Sequence, residues 1–404
     1  MPIVQINQVE QNQVQEKQNH NGSGRKSSRR GPLFVVGMWR SGTSLSYALL
    51  NQHSEIALLY EGDLPLLWPL FLGGKGRRDW PERWEFWNSG ASRHQIDIES
   101  LPRDAASVRE ACDAVWDRYG SASIHGCKSP NYYDMLPSLA EQFPGARFLI
   151  IWRNPADVLR SVVRASQGDS FFAKRGMVLR ALRGCHEMKL GHDWLVAHGV
   201  PVHTVQYEAL VKDAAGVMQE VCAFLDIKFD PRMASLEDAD RSAIYEGGHH
   251  EKVKTERIAA ARPKRETLPA DVLGKVERYL SYWHSEYDGQ WPATPLPSGK
   301  APPAWFALER LWDSIAYRTL RIFDWMVVFL YCFAPIGLLR GYRSWRGRKP
   351  ETGTPAKAGT AEEDKSPAPV LVPAGRERKP LPSHPVVLDQ SREVTQGQGT
   401  GVSR

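Results

Sequence analysis

The segment from Phe34 to Ser44 limits the fold of this chain most strongly, because an apolar run breaks there into a loop framed by two glycines. The run is typical of a buried strand, and Leu45–Leu50 after the loop is typical of a helix. A strand, a glycine loop and a helix N-terminus in this order create an anion site from backbone N–H groups and the helix dipole. The sequence therefore predicts an α/β fold that binds a phosphorylated nucleotide.

The loop differs from that of kinases and ATPases at one chemically important position. Gly37 and Gly42 have the spacing of the motif G-x-x-x-x-G-K-[ST], but Thr43 stands where those enzymes place a lysine on the β- and γ-phosphates. The nearby cation is Arg40, inside the loop. This argues against hydrolysis of a nucleoside triphosphate, although a nucleotide kinase with a degenerate loop stays an alternative.

The same loop resembles that of the sulfotransferases that use 3′-phosphoadenosine 5′-phosphosulfate (PAPS), which commonly reads R-S-G-T-[ST]. The resemblance implies a P-loop NTPase-like, three-layer α/β fold with a central parallel sheet flanked by helices. It also implies transfer of a sulfuryl group from PAPS to an acceptor hydroxyl, possibly on a glycan or glycolipid. The residues that it assigns to the 5′-phosphosulfate are Arg40, Ser41, Gly42, Thr43 and Ser44.

A second landmark combines a strand end with a helix start. Phe148–Trp152 suits a buried parallel strand, and Asn154 is a good N-cap for the helix after it. Arg153 then lies at the carboxyl end of the strand, where open α/β sheets bind ligands. In the family, an arginine and a serine at this separation bind the 3′-phosphate of PAPS, and the resemblance assigns that role to Arg153 and Ser161. A simple ion pair between Arg153 and Asp157 is the alternative.

Sulfuryl transfer needs a base for the acceptor's proton and cations that neutralise charge on the sulfuryl group and the bridging oxygen. The resemblance assigns the base to Glu61, with Asp63 as a neighbouring alternative. Lys128 lies in a segment that resembles the family's K-[TS]-P motif, and with Arg40 it would stabilise the transferring group. A solvated loop acid and an exposed surface lysine are the plainer interpretations of Glu61 and Lys128.

Weaker landmarks follow in the family's order. Val202–Val205 and the residues after it resemble a strand ending in Y-E-x-L, and Val217–Leu225 is predicted to be a helix. A later basic stretch resembles the loop that closes over the 3′-phosphate. Arg257 is taken as the contact, but the stretch departs from the family pattern at Ala259, so the choice stays open among Arg257, Arg262, Lys264 and Arg265.

Composition divides the chain into four segments. Residues 1–30 and 349–404 are polar or rich in Pro and Gly and are predicted to be disordered, whereas residues 31–298 form the predicted catalytic domain. The remaining segment, 299–348, is predicted to associate with a membrane.

That segment, Trp305–Arg348, begins with an amphipathic basic pattern and continues into the almost wholly apolar Ile322–Leu339. Basic residues flank the apolar stretch, and Asp324 and Pro335 interrupt it, so we expect it to lie on a membrane surface rather than to cross the bilayer. A re-entrant segment, a membrane span, and packing on the domain or on a second subunit stay open as alternatives.

Other cofactors and partners have little support. The five cysteines lack metal-ligand spacing, and His249-His250 lack a partner set, so no metal site is predicted. The net charge of +6 comes with basic clusters near the ends, not with a nucleic-acid-binding module. We therefore expect a cytoplasmic, membrane-associated enzyme whose partners are PAPS and a hydroxyl-bearing acceptor. A non-catalytic membrane-associated protein on the same scaffold is a second alternative, and the oligomeric state stays open.

Overall fold

The protein is described here from a computed structural model, which covers residues 31–87, 96–166, 171–172, 176–244, 253, 258, 269–286 and 303–347. The four basic candidates Arg257, Arg262, Lys264 and Arg265 lie outside the described residues, as do His249-His250 and the terminal segments 1–30 and 349–404.

Five parallel strands form the central sheet, in the order β2-β3-β1-β4-β5. The strands are β1 Leu33–Gly37, β2 Ile56–Tyr60, β3 Ile124–Lys128, β4 Arg147–Trp152 and β5 Val202–Gln206. From β1 the chain runs to one side of the sheet, and from β4 it runs to the other. Such a reversal opens a crevice outside the carboxyl ends of the two strands, which is where open α/β sheets bind ligands.

Helices connect the strands and cover the sheet. They are α1 Thr43–Leu50, α2 Trp80–Trp87, α3 Val108–Tyr119, α4 Leu136–Gln142, α5 Pro155–Ala165, α6 Met177–Ala197, α7 Tyr207–Lys212, α8 Ala214–Leu225, α9 Ala270–Glu286, α10 Phe306–Phe333 and α11 Ile336–Gly347. Short 3₁₀ turns lie at Leu64–Phe71, Ile98–Ser100, Pro130–Tyr132 and Pro231–Ala234.

Both faces of the sheet are buried, because successive side chains of each strand point to opposite sides. Phe34 and Val36 belong to one apolar core, and Leu33 and Val35 belong to the other. The sheet is therefore the middle of three layers, and the predicted P-loop NTPase-like fold is confirmed.

The predicted elements around the loop are present with slightly wider bounds. Helix α1 begins at Thr43, two residues before the predicted start, and α8 begins at Ala214. Asn154 caps α5 as predicted, because its side chain accepts a hydrogen bond from the Ala156 N–H at 2.9 Å.

The C-terminal segment folds into α10, whose inner face packs on the domain. Phe306, Tyr317, Val328 and Cys332 of α10 are buried in the same core as Phe34. Packing on the domain was one of the alternatives left open by the sequence, and it holds for this face of the helix. Among the described residues no single helix is long and apolar enough to cross a bilayer, and α10 with the start of α11 meets that test only as a pair bent by 115°.

Gly126 in β3 is required by its contact with β1, where it lies opposite Leu33. A Cβ at Gly126 would overlap the Leu33 carbonyl oxygen, so the two central strands would have to separate. We expect Gly126→Ala to lower the free energy of unfolding by about 3 kcal/mol, the upper end of the usual cost of overpacking. Urea unfolding measures this. The matched control is Gly337→Ala, because a Cβ at Gly337 meets nothing within 4 Å; an equal loss in both variants would contradict the prediction.

Candidate active site

The loop after β1 is a tight turn that depends on both framing glycines. Arg40 and Gly42 have φ of 70° and 100°, and the Ser41 N–H donates to the Met38 carbonyl at 3.0 Å. A Cβ at Gly42 would overlap the Tyr207 ring, and one at Gly37 would lie 2.5 Å from Ser41 Oγ. A larger residue at either position would therefore open the loop.

The loop presents donors that the rest of the described chain does not satisfy. Helix α1 begins after Gly42 without a side-chain cap, so its first-turn N–H groups point into the loop together with the positive end of the helix dipole. Ser41 Oγ is buried and has no hydrogen-bond partner among the described residues. Both features suit a phosphate or phosphosulfate group.

An arginine and serine cluster lies beside the loop, at the crevice between β1 and β4. Arg40 Nε donates to Ser161 Oγ at 3.0 Å, and Arg153 Nη1 donates to the Arg40 carbonyl at 2.6 Å. The Arg153 guanidinium also lies 4.5 Å from the centre of the Tyr207 ring. The predicted pair Arg153 and Ser161 is thus brought together by the backbone and the side chain of one loop residue, Arg40.

Electrostatics in this cluster favour an anion. Burial and the nearby charges of Arg153 and Arg164 lower the pKa of Arg40 to about 10. Crowded cations of this kind are relieved by a bound anion with two or more negative charges. Arg153 Nε is buried and has no hydrogen-bond partner in the described part of the chain, so it supplies a donor for such a group.

The alternative role of Arg153, an ion pair with Asp157, is not what the structure contains. Asp157 accepts instead from Arg160 Nη1, at 2.7 Å. Arg153 points to the loop, whereas Arg160 points to the partly exposed side of α5. The two arginines therefore have different hydrogen-bond partners.

A second cluster lies at the ends of β2 and β3, where Tyr60 is paired in register with Lys128. Glu61 follows Tyr60, and its N–H donates to the Lys128 carbonyl at 2.7 Å. Lys128 Nζ donates to Glu61 Oε1 at 2.7 Å and lies 3.9 Å from the centre of the Tyr60 ring. The two predicted catalytic residues therefore touch each other, although 66 residues separate them in the chain between positions 61 and 128.

The burial of this pair excludes one of the plainer interpretations. The Lys128 side chain is 1% exposed, so the interpretation of Lys128 as an exposed surface lysine is wrong. The Glu61 side chain is 20% exposed and is accessible to a small group. Burial by itself opposes the charge of Lys128, but Glu61 and Tyr60 outweigh it and raise the pKa of the ammonium group. Lys128 is thus a fixed positive charge.

Asp63, the alternative base, lies deeper than Glu61. Its Oδ2 accepts from Asn131 Nδ2 at 2.8 Å, and Asn131 Oδ1 accepts from Trp39 Nε1 at 3.3 Å. Burial raises the pKa of Asp63 to about 7, and hydrogen bonds from Ser129 and Asn131 oppose this only in part. Through Asn131, the Asp63 carboxyl group thus connects the segment after Lys128 to Trp39 of the loop. Glu61 is the more accessible of the two acids.

Asp63 should make the stability of the protein depend on pH. Since its pKa rises from the ordinary 3.8 to about 7, the native state binds its proton more tightly than the unfolded chain does. Between those values the free energy of unfolding falls as pH rises. We expect urea unfolding to show wild type losing stability relative to Asp63→Asn from about pH 4 to about pH 7, with a constant difference above that range. A difference that does not change with pH would contradict this ionisation.

The two clusters form one site through the loop and Tyr60. Ser44 Oγ and the Tyr60 hydroxyl are hydrogen-bonded at 2.8 Å, and Tyr60 in turn supports Lys128. Of the predicted residues, Arg257 and its alternatives Arg262, Lys264 and Arg265 cannot be placed, because all four lie outside the described residues.

Sequence reasoning missed three residues of the site. Tyr60 ends β2 next to Glu61, Asn131 lies three positions after Lys128, and Tyr207 belongs to the Y-E-x-L segment after β5. Their common signal is position at the carboxyl edge of the sheet, which could have marked Tyr60 and Tyr207 as candidates. Asn131 gave no such signal.

Within the described residues, no group of three or more His, Cys, Asp or Glu side chains could hold a metal ion. The five cysteines are buried and free.

Comparison with known proteins points to one family. A profile described as the sulfotransferase family matches residues 32–231. An uncharacterised protein of Aquifex aeolicus is 27% identical over 279 residues, which are 64% of this chain and 32% of that protein. A putative protein-tyrosine sulfotransferase of Caenorhabditis briggsae is 25% identical over 214 residues, 50% of this chain and 67% of that protein.

Among solved structures, the sulfotransferase domain from the curacin biosynthetic pathway has a TM-score of 0.47 and 21% identity, over 66% of this chain and 100% of that domain. The chain thus spans about a third of the Aquifex relative and the whole of this domain. With the family profile across the loop and all five strands, this chain belongs to the sulfotransferase family.

Proposed function

We propose that this protein transfers a sulfuryl group from PAPS to an acceptor hydroxyl. One observation carries the proposal. The partly buried cluster of Arg40, Arg153 and Ser161 and the Lys128–Glu61 pair lie at the same edge of the sheet, on either side of the loop. The first cluster suits the phosphates of the donor, and the second suits the chemistry of transfer.

The donor's 3′-phosphate fits the cluster of Arg153 and Ser161. Arg153 Nε is a buried donor without a partner in the described residues, and Ser161 Oγ lies 3.0 Å from Arg40 Nε. A 3′-phosphate here would accept charge-assisted hydrogen bonds from both side chains. It is the group that distinguishes PAPS from ATP, so the cluster accounts for donor selectivity.

The 5′-phosphosulfate fits the loop from Arg40 to Ser44. Backbone N–H groups at the start of α1 and Ser41 Oγ supply donors, as in other phosphate sites at helix N-termini. The Arg40 side chain is hydrogen-bonded to Ser161, so in this arrangement the Arg40 charge acts first on the donor's phosphates. Lys128 is left as the main cation for the sulfuryl group.

The reaction is a single in-line displacement. Glu61 accepts the proton of the acceptor hydroxyl as the hydroxyl oxygen bonds to sulfur. The bond from sulfur to the 5′-phosphate oxygen breaks, and that oxygen keeps the electron pair. Lys128 neutralises the charge on the sulfuryl group and the leaving oxygen, where a fixed charge in a buried site is most effective. Glu61 exchanges its hydrogen bond from Lys128 for one from the acceptor when the substrates bind.

A transfer assay with sulfur-labelled PAPS tests this function. The full chain in mild detergent is incubated with glycan, glycolipid and phenolic acceptors, and both labelled product and 3′,5′-adenosine bisphosphate are measured. We expect the two to form in equal amounts and only with an acceptor. Phosphoryl transfer from ATP with magnesium would support a kinase instead, and bisphosphate binding without turnover on any acceptor would support a non-catalytic protein.

A further inference from the structure

Helix α10 has an ionic inner face that fixes it to the domain. All three acidic residues of the helix lie on this face, and each accepts a hydrogen bond from a basic side chain of α6 or α9. The pairs are Glu309 with Arg278 at 2.8 Å, Asp313 with Lys275 at 2.6 Å and Asp324 with Arg180 at 2.9 Å. The helix therefore turns its negative charge inward.

Contacts in the middle of the helix fix its rotation. Arg321 Nε lies 2.6 Å from Asp134 Oδ2, and the Tyr317 hydroxyl donates to the Tyr133 hydroxyl at 3.2 Å. Tyr133 also packs against Trp39 of the loop, with ring centres 5.6 Å apart. Because these groups are held by partners around the active site, the opposite face of α10 stays directed outward.

That outward face is mostly apolar, apart from the exposed Arg318 and Thr319 in the middle of the helix. Side chains at helical spacing are between 48% and 69% exposed, among them Leu308, Trp312, Ile315, Phe323, Met326 and Leu330. Within Phe306–Phe333, all of which the structure describes, Arg318 is the one exposed charged residue. At roughly 1.5 Å per residue the stripe is about 40 Å long, far more apolar surface than a soluble monomer usually leaves in contact with water.

Charge and residue type favour a lipid surface as the occupant. Two tryptophans, Trp305 and Trp312, are exposed near the first end of the apolar stripe, and tryptophan is enriched where proteins meet the membrane–water interface. From the second half of the stripe onward, residues 325–350 contain no acidic residue and include Arg340, Arg343, Arg346, Arg348 and Lys349. Basic residues next to an apolar stripe attract anionic headgroups.

We propose that the outward face of α10 inserts into the interfacial layer of an anionic lipid bilayer, with the helix parallel to the membrane plane. The ion pairs on the inner face are incompatible with crossing the hydrocarbon layer, because they belong to the folded domain. The protein is thus held on one side of the membrane. Tyr133 contacts both Tyr317 of the bound helix and Trp39 of the active-site loop, so a single residue connects the two.

Vesicle co-sedimentation tests this surface without any nucleotide, so its result is independent of the transfer reaction. The full chain is mixed with vesicles of phosphatidylcholine alone, or of phosphatidylcholine and phosphatidylglycerol in equal parts. We expect binding to the anionic vesicles that weakens with salt. The double variant Phe323→Gln with Met326→Gln removes two large apolar side chains from the stripe. It should bind the vesicles about a hundred-fold more weakly, roughly tenfold for each side chain.

The matched control is Leu190→Gln with Val196→Gln on α6, where both residues are apolar and exposed, at 45% and 57%. This control should bind like wild type, and circular dichroism should show both variants folded. Wild type that stays in the supernatant with anionic vesicles would overturn the proposal. So would light scattering that finds a dimer of wild type and a monomer of Phe323→Gln with Met326→Gln, since a second copy would then cover the face.

Discussion

Glu61→Gln should lower the turnover of sulfuryl transfer by about a thousand-fold, within the usual range for loss of a general base. The amide keeps an oxygen that accepts the hydrogen bond from Lys128 Nζ, now 2.7 Å from Glu61 Oε1, so the site should keep its shape. What the amide cannot do is take a proton from the acceptor. Steady-state kinetics with the best acceptor should therefore show a fall in kcat, while calorimetry shows nearly unchanged binding of 3′,5′-adenosine bisphosphate.

The control for Glu61 is Glu82→Gln, which alters an ion pair of similar length, 2.6 Å to Arg103, outside the site. Its kcat should match wild type. The double variant Glu61→Gln with Lys128→Met should be slower than Glu61→Gln alone, because the charge that Lys128 neutralises still develops on the sulfuryl group and the leaving oxygen. Undiminished kcat in Glu61→Gln would transfer the role of base to another residue, with Asp63 as the nearest candidate.

Arg153→Ala should weaken the binding of 3′,5′-adenosine bisphosphate by about a hundred-fold, as expected when a buried charge loses its partner. The binding of adenosine 5′-phosphosulfate, which lacks the 3′-phosphate, should weaken much less. The ratio of the two losses is the informative quantity, because Arg153 also donates to the Arg40 carbonyl at 2.6 Å, so removing it loosens the loop for both ligands.

Arg160→Ala is the matched control for Arg153, since it lies on α5, seven residues further along the chain, and pairs with Asp157 at a partly exposed position. Binding of both nucleotides should stay within about twofold of wild type, as for most exposed ion pairs. Equal weakening of the two nucleotides by Arg153→Ala would remove Arg153 from the 3′-phosphate site.

Local chemistry made much of this fold readable from the sequence. The glycine loop after an apolar run, the N-cap at Asn154 and the apolar strand before Arg153 are all encoded within a few neighbouring residues. Parallel strands bring their carboxyl ends to one edge, so Arg40, Glu61, Lys128 and Arg153 could be expected to meet there.

What the sequence could not show is contact between distant side chains. Tyr60 supports Lys128 because of the register between β2 and β3, and Asn131 links Asp63 to Trp39 through the fold of three separate segments. Periodicity revealed the apolar stripe of α10. Which side of the helix would dock depended on partners such as Asp134 and Arg180, which lie 187 and 144 residues away in the chain from Arg321 and Asp324.

Calorimetric binding of 3′,5′-adenosine bisphosphate and of ATP with magnesium, to the full chain in mild detergent, tests whether the site is built for PAPS. The arginine and serine cluster predicts tight binding of the bisphosphate and weak binding of ATP. Tighter binding of ATP with magnesium would contradict the assignment of the 3′-phosphate and favour a kinase.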